Sequence, residues 1–137
     1  MLYFDIFRND PEFVEINSGG VLYREGDSAS AMYVLVEGEA QISIGGIFFE
    51  RCTQGNCVGE MALLDNLPRY GTVTALTHCR FILIDKKRFH FLVDESPGFA
   101  LELMRVIARR LKKVSRQVIQ SALEKAALAG SASSVMR

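Results

Sequence analysis

Gly59, Glu60 and Arg69 share one short stretch, "GEMALLDNLPRYGTV" (Gly59–Val73), and their types suit an anion that carries a hydroxyl beside it. A planar guanidinium meets phosphate oxygens in a bidentate fashion that an ammonium cannot reproduce. A carboxylate is misplaced against a phosphate but well matched to a neighbouring hydroxyl. "EMALL" is helix-forming sequence cut short by "DNLP", which predicts one or two helical turns. Their unpaired N–H groups and positive dipole end also favour an anion. Gly59 permits close backbone approach, and the loop after the turn brings Arg69 back. An arginine for phosphate and a glutamate for a sugar hydroxyl describe a nucleotide. The competing reading is a plain Glu60–Arg69 ion pair in a solvated loop.

Two regions must position these residues. From about residue 12 to residue 85, runs rich in Val, Ile, Phe and Tyr ("VLYRE", "AMYVLVE", "AQISI", "IFFERC", "TVTAL", "RFILID") alternate with glycine-marked turns. That pattern predicts an antiparallel sandwich or barrel. "EGE" at Glu37–Glu39 reads as a tight hairpin, and "REGDSASAMY" as a loop in which Asp27 bonds nearby backbone amides. After Asp85 the period becomes helical: "KKRFHFLVDES" reads as a short helix, and Ser96-Pro97 starts a long one, with Pro tolerated at its first position. Ala100, Met104, Ile107, Leu111, Val114 and Val118 follow heptad spacing, while Phe99, Leu103 and Val106 lie off that seam. The helix therefore serves either as one broad stripe on a single core or as a helix-to-helix dimer seam.

Composition narrows the function classes. The 137 residues are 49% hydrophobic and 9% aromatic, enough for one domain with a sizeable core. Sixteen basic and sixteen acidic residues cancel, so no global field recruits nucleic acid or an anionic membrane. "MLYFDIFRND" has neither a basic n-region nor a long apolar core, and the expected location is cytoplasmic. Cys52, Cys57 and Cys79 are an odd set whose spacing fits no usual zinc pattern, and His78 and His90 form no cluster with them. No metal is expected, and no disulfide framework. The sequence shows no nucleophile elbow, Walker loop or metal cluster, so an enzyme is not expected.

The whole stretch from Gly59 to Val73 closely resembles the phosphate-binding cassette of the cyclic nucleotide-binding domain family, which includes catabolite activator proteins and kinase regulatory subunits. "GGVLYREGDSASAMYVLVEGEAQI" resembles the family's first barrel strands, and "FLVDESPGFALELMRVIARRL" its closing helices. The resemblance implies a mainly β fold, an eight-stranded antiparallel jelly-roll barrel closed by a long C-terminal α-helix. It implies a single domain over 1–128, with the barrel at about 12–85, closing helices at about 86–128 and a flexible tail at 129–137. Arg69 would bind the cyclic phosphate, helped by backbone N–H groups at Ala62 and at Tyr70 or Gly71. Glu60 and the Gly59 amide would take the ribose 2′-hydroxyl. Val58, the cassette residue Met61 and barrel side chains complete the ligand-binding set, and Arg109, Arg110 or Lys113 would cap the base.

This sequence departs from the family at Tyr70, where such proteins usually carry a small residue, so the choice between cAMP and cGMP stays open. "DIFRNDPEFVEI" leaves only a reduced N-terminal helix. Nine residues remain after Leu128, so no helix-turn-helix is expected, and the basic run from Arg105 to Arg116 reads as a solvated face. The expectation is a stand-alone cyclic-nucleotide sensor, homodimeric through its C-terminal helix, passing occupancy to an unknown effector. Neither nucleic acid nor membrane is an expected partner. The alternative is a module of the same fold with a lost or altered ligand, acting as a structural or protein-interaction subunit.

Overall fold

The β-rich runs form eight strands: β1 (Phe13–Ile16), β2 (Val21–Tyr23), β3 (Ala31–Glu37), β4 (Ala40–Ile44), β5 (Ile47–Cys52), β6 (Cys57–Val58), β7 (Thr72–Ala75) and β8 (Cys79–Asp85). Three helices follow the same chain order: α1 (Glu60–Asp65), α2 (Lys86–Glu95) and α3 (Pro97–Met136). The structure, a computed structural model, describes Phe7 and residues 9–136, with side chains as far as Gly130. The expectation of a reduced N-terminal helix falls mostly outside the described residues. The chain divides into two compact units, Met1–Glu95 and Ser96–Arg137.

The first unit holds two four-stranded antiparallel sheets, ordered β1-β8-β3-β6 and β2-β7-β4-β5. The ladders run within each sheet, so the arrangement is two sheets rather than one closed hydrogen-bonded cylinder. The inner strands β3 and β8 are buried almost continuously, as strands covered on both faces must be. Met32, Leu35, Phe81, Ile82 and Ile84 are fully buried there, each contributing about 1.5–3 kcal/mol of transfer free energy. α2 starts where Asp85 Oδ1 accepts the Arg88 N–H at 2.8 Å, an N-terminal cap.

Two expectations need correction. "EGE" is not a hairpin: β3 and β4 belong to different sheets, and the two-residue link Gly38-Glu39 carries the chain between them. Gly38 has φ 93°, and a Cβ there would collide with the His78 carbonyl, so the link requires glycine. The true hairpin joins β4 to β5 through Gly45-Gly46. In the second unit, the helix does not stop at Leu128 but continues to Met136 through the segment read as a flexible tail. Alanine is the strongest helix former, and it recurs through "SALEKAALAGSAS". On α3, Phe99, Leu103 and Val106 are buried, whereas the seam residues Met104, Leu111 and Val118 are exposed.

Candidate functional site

β6 ends at Val58, which is fully buried, and the chain then turns through Gly59 at φ 80° directly into α1. α1 makes the short helix expected of "EMALL" and ends at Asn66, whose positive φ of 53° is paired with an N–H bond to Ala62 O. Lys86 Nζ, at the root of α2, donates to Asn66 Oδ1 at 2.7 Å and fixes that helix end. The chain returns through Leu67 and Pro68 to Arg69.

Arg69 is held at both main-chain groups. Its N–H donates to Asp27 O and its carbonyl accepts from Gly26 N–H, each at 2.8 Å. The 24–27 turn is itself closed by Asp27 Oδ2, which accepts the Arg24 N–H at 3.0 Å, as the loop reading anticipated. Glu25 ties the turn outward. Its N–H donates to Thr72 Oγ1, and its Oε1 accepts the Gly45 N–H.

The Arg69 side chain is only 6% exposed, and Glu60 only 4%. Neither residue is solvated, whereas the reading of a pair in a solvated loop expected both to be. The Arg69 Cζ lies 4.1 Å from the Tyr23 ring centroid and 5.6 Å from that of Tyr33. Nη1 donates to Gly59 O at 3.3 Å, and Nε makes no hydrogen bond among the described residues. A carbonyl and two phenol rings, all neutral, thus face a buried cation. Desolvating a cation is costly, and an anion brought against it offsets that cost. A Cβ on Gly59 would collide with Arg69 Nη1, so the glycine at this position makes room for the guanidinium.

The structure brings Gly59, Glu60 and Arg69 into one short segment, with buried Val58, Ala62 and Gly71 beside them in sequence. Met61 and Tyr70 point the other way in burial, at 45% and 55% exposed. Arg109, Arg110 and Lys113 belong to the second unit. Sequence reasoning missed Tyr23 and Tyr33. On β2 and β3 they read as ordinary strand aromatics, and no local spacing links them to Arg69.

None of the three cysteines forms a disulfide, and all are buried. Burial raises the Cys79 thiol pKa above its ordinary value, against the lowering pull of hydrogen bonds with Thr77 and Glu39. Among the described residues no group of three His, Cys, Asp or Glu side chains is placed to hold a metal ion. No described helix is long and apolar enough to cross a membrane.

A two-sheet β unit with a buried arginine after a glycine-started turn defines a class of ligand-binding module. The family model of the cyclic nucleotide-binding domain matches residues 13–96, and the chain belongs to that family. Among curated proteins it is similar to the lysophospholipase nte1 of Neurospora crassa, 30% identical over 106 residues, 74% of this chain and 7% of that protein. The lysophospholipase NTE1 of Coccidioides immitis is 28% identical over 129 residues, covering 88% of this chain and 8% of that one. The chain thus spans less than a tenth of the length of these relatives. Among solved structures, cAMP-bound PfPKA-R has a TM-score of 0.71 at 26% identity, covering 84% of this chain and 46% of that chain. The cGMP-bound form of an EAL enzyme has a TM-score of 0.59 at 26% identity, covering 80% and 30%. The catabolite activator protein of Thermus thermophilus shares the fold, with a TM-score of 0.71 at 22% identity, covering 85% and 55%.

Proposed function

We propose that this chain is a regulatory module that binds a cyclic nucleotide, cAMP or cGMP, in its first unit and reports occupancy through α3 to a partner. The observation that carries the reading is the Arg69 guanidinium, 6% exposed, set against the Tyr23 ring and the Gly59 carbonyl, with an Nε that has no hydrogen bond among the described residues. In this reading Arg69 takes the cyclic phosphate, aided by the Ala62 and Tyr70 or Gly71 N–H groups. Glu60 and the Gly59 amide take the ribose 2′-hydroxyl, and Val58 and Met61 border the ligand. A homodimer through α3 completes the proposal, and the exposed stripe of Met104, Leu111 and Val118 supports it. The sheet orders β1-β8-β3-β6 and β2-β7-β4-β5 support reading the β unit as a jelly roll. The module's work is binding rather than catalysis, and it needs no metal.

Calorimetric titration of the wild type and Arg69→Ala with cAMP and with cGMP tests this function. Loss of a charge-assisted bidentate contact should weaken binding by about 2–4 kcal/mol while leaving the fold intact. A wild type that binds neither nucleotide, or an Arg69→Ala variant with undiminished affinity, refutes it.

A further inference from the structure

We infer that Tyr23 is a positioning residue of the anion site: its ring face, together with that of Tyr33, holds the Arg69 guanidinium in place without neutralising it. The inference deepens the nucleotide reading and rests on it for the ligand alone. A buried cation needs something to offset its lost hydration. Here a π face at 4.1 Å, a second at 5.6 Å and a carbonyl contribute to that offset. A desolvated cation over a phenol face is attracted by the ring quadrupole.

The geometry of the guanidinium explains why a ring suits this place better than a carboxylate. Its five donors lie in its own plane, while stacking uses its face. A carboxylate would occupy the in-plane donors, and an incoming phosphate would have to displace it. A ring against the guanidinium face leaves in-plane donors for oxygens, consistent with an Nε that has no hydrogen bond among the described residues. The rings are themselves fixed. Tyr23 and Tyr33 lie 6.3 Å apart, and Tyr33 meets the fully buried Phe81 edge-on at 6.3 Å. Tyr23 also ends β2, just before the turn that bonds the Arg69 backbone, so the same segment holds the arginine at both ends.

The test combines Tyr23→Phe and Tyr23→Leu, each alone and with Arg69→Gln. Calorimetry with cAMP and cGMP measures binding, and urea unfolding without nucleotide measures the coupling of the two residues. Tyr23→Phe keeps the ring and should bind within about threefold of wild type. Tyr23→Leu should bind about tenfold more weakly, which is about 1.4 kcal/mol. In urea, the loss caused by Tyr23→Leu should shrink when Arg69 is already Gln, because the interaction it removes is gone. Should Tyr23→Leu not fold, Tyr23→Met takes its place in both arms. Binding by Tyr23→Leu within twofold of wild type overturns the inference, as do additive urea effects. A wild type that binds neither nucleotide refutes the nucleotide reading alone, and the urea cycle still decides whether Tyr23 positions Arg69.

Discussion

Gly59→Ala separates the cost of folding from the cost of binding at one atom. Gly59 has φ 80°, a left-handed conformation that costs an L-residue about 1–2 kcal/mol. The added Cβ would also collide with Arg69 Nη1 and come within 3.4 Å of Ala31 O. A flexible side-chain end can usually swing aside cheaply. This one is buried, seated on Tyr23 and hydrogen-bonded to Gly59 O, so moving it removes both contacts. The variant should fold with a melting temperature lowered by roughly 3–10 °C, the range expected for that strain in a domain of this size. Its affinity for cyclic nucleotide should fall at least tenfold, because a misplaced guanidinium loses its bidentate geometry. Differential scanning fluorimetry and calorimetric titration on one preparation measure the two effects. Wild-type affinity in Gly59→Ala would refute the claim that this glycine exists to seat Arg69. Loss of the fold would show that the strain far exceeds about 2 kcal/mol.

Gly38→Ala should be far more damaging to stability, since its Cβ meets the fixed His78 carbonyl rather than a side-chain end; a urea midpoint shift smaller than that of Gly59→Ala would contradict this. Asp10 accepts hydrogen bonds from Glu12 N–H and Arg88. Burial pulls its carboxyl upward, but the Arg88 hydrogen bond, the Glu12 N–H and the Arg88 charge pull it further down, to a net position below the ordinary carboxylate value. A depressed carboxyl stabilises the fold above its unfolded value and loses that contribution as pH falls through the folded one. Asp10→Asn should therefore cost about 1.5–3 kcal/mol at pH 7, with the gap to wild type closing below about pH 4 in urea melts at stepped pH. The double variant Leu111→Glu and Val118→Glu should scatter light as a smaller species than wild type, and nucleotide should shift the wild-type association equilibrium; identical masses would return α3 to a single-core role.

The cassette was legible because its chemistry is local: a glycine, a glutamate and an arginine joined by a turn that Asn66 and Pro68 end. Burial of Glu60 and Arg69 was not legible, since charged residues in a loop ordinarily face water. Tyr23 and Tyr33 were hidden for a different reason. They meet Arg69 where the 24–27 turn bonds its backbone, and that pairing leaves no mark in either segment's periodicity. The strand runs were readable from composition, but the "EGE" link was not. A two-residue connection looks the same whether its strands pair or part, and only the neighbours of β3 and β4 decide. The end of α3 was misplaced because small polar residues suggested fraying while alanine favoured helix.

The pair of backbone bonds at Arg69 divides this surface into a part that must stay and a part free to vary. With the arginine tied to residues 26 and 27, and the preceding strand anchored at Val58, the peptide between Met61 and Leu67 need only span a fixed gap. Its outward side chains Leu64 and Leu67 are about half exposed and support neither anchor. Mutation can rewrite that outer face residue by residue without touching the anion chemistry beneath it. One binding chemistry can in this way be fitted to many neighbours, with the loop as the exchangeable part and the two anchors as its fixed mount.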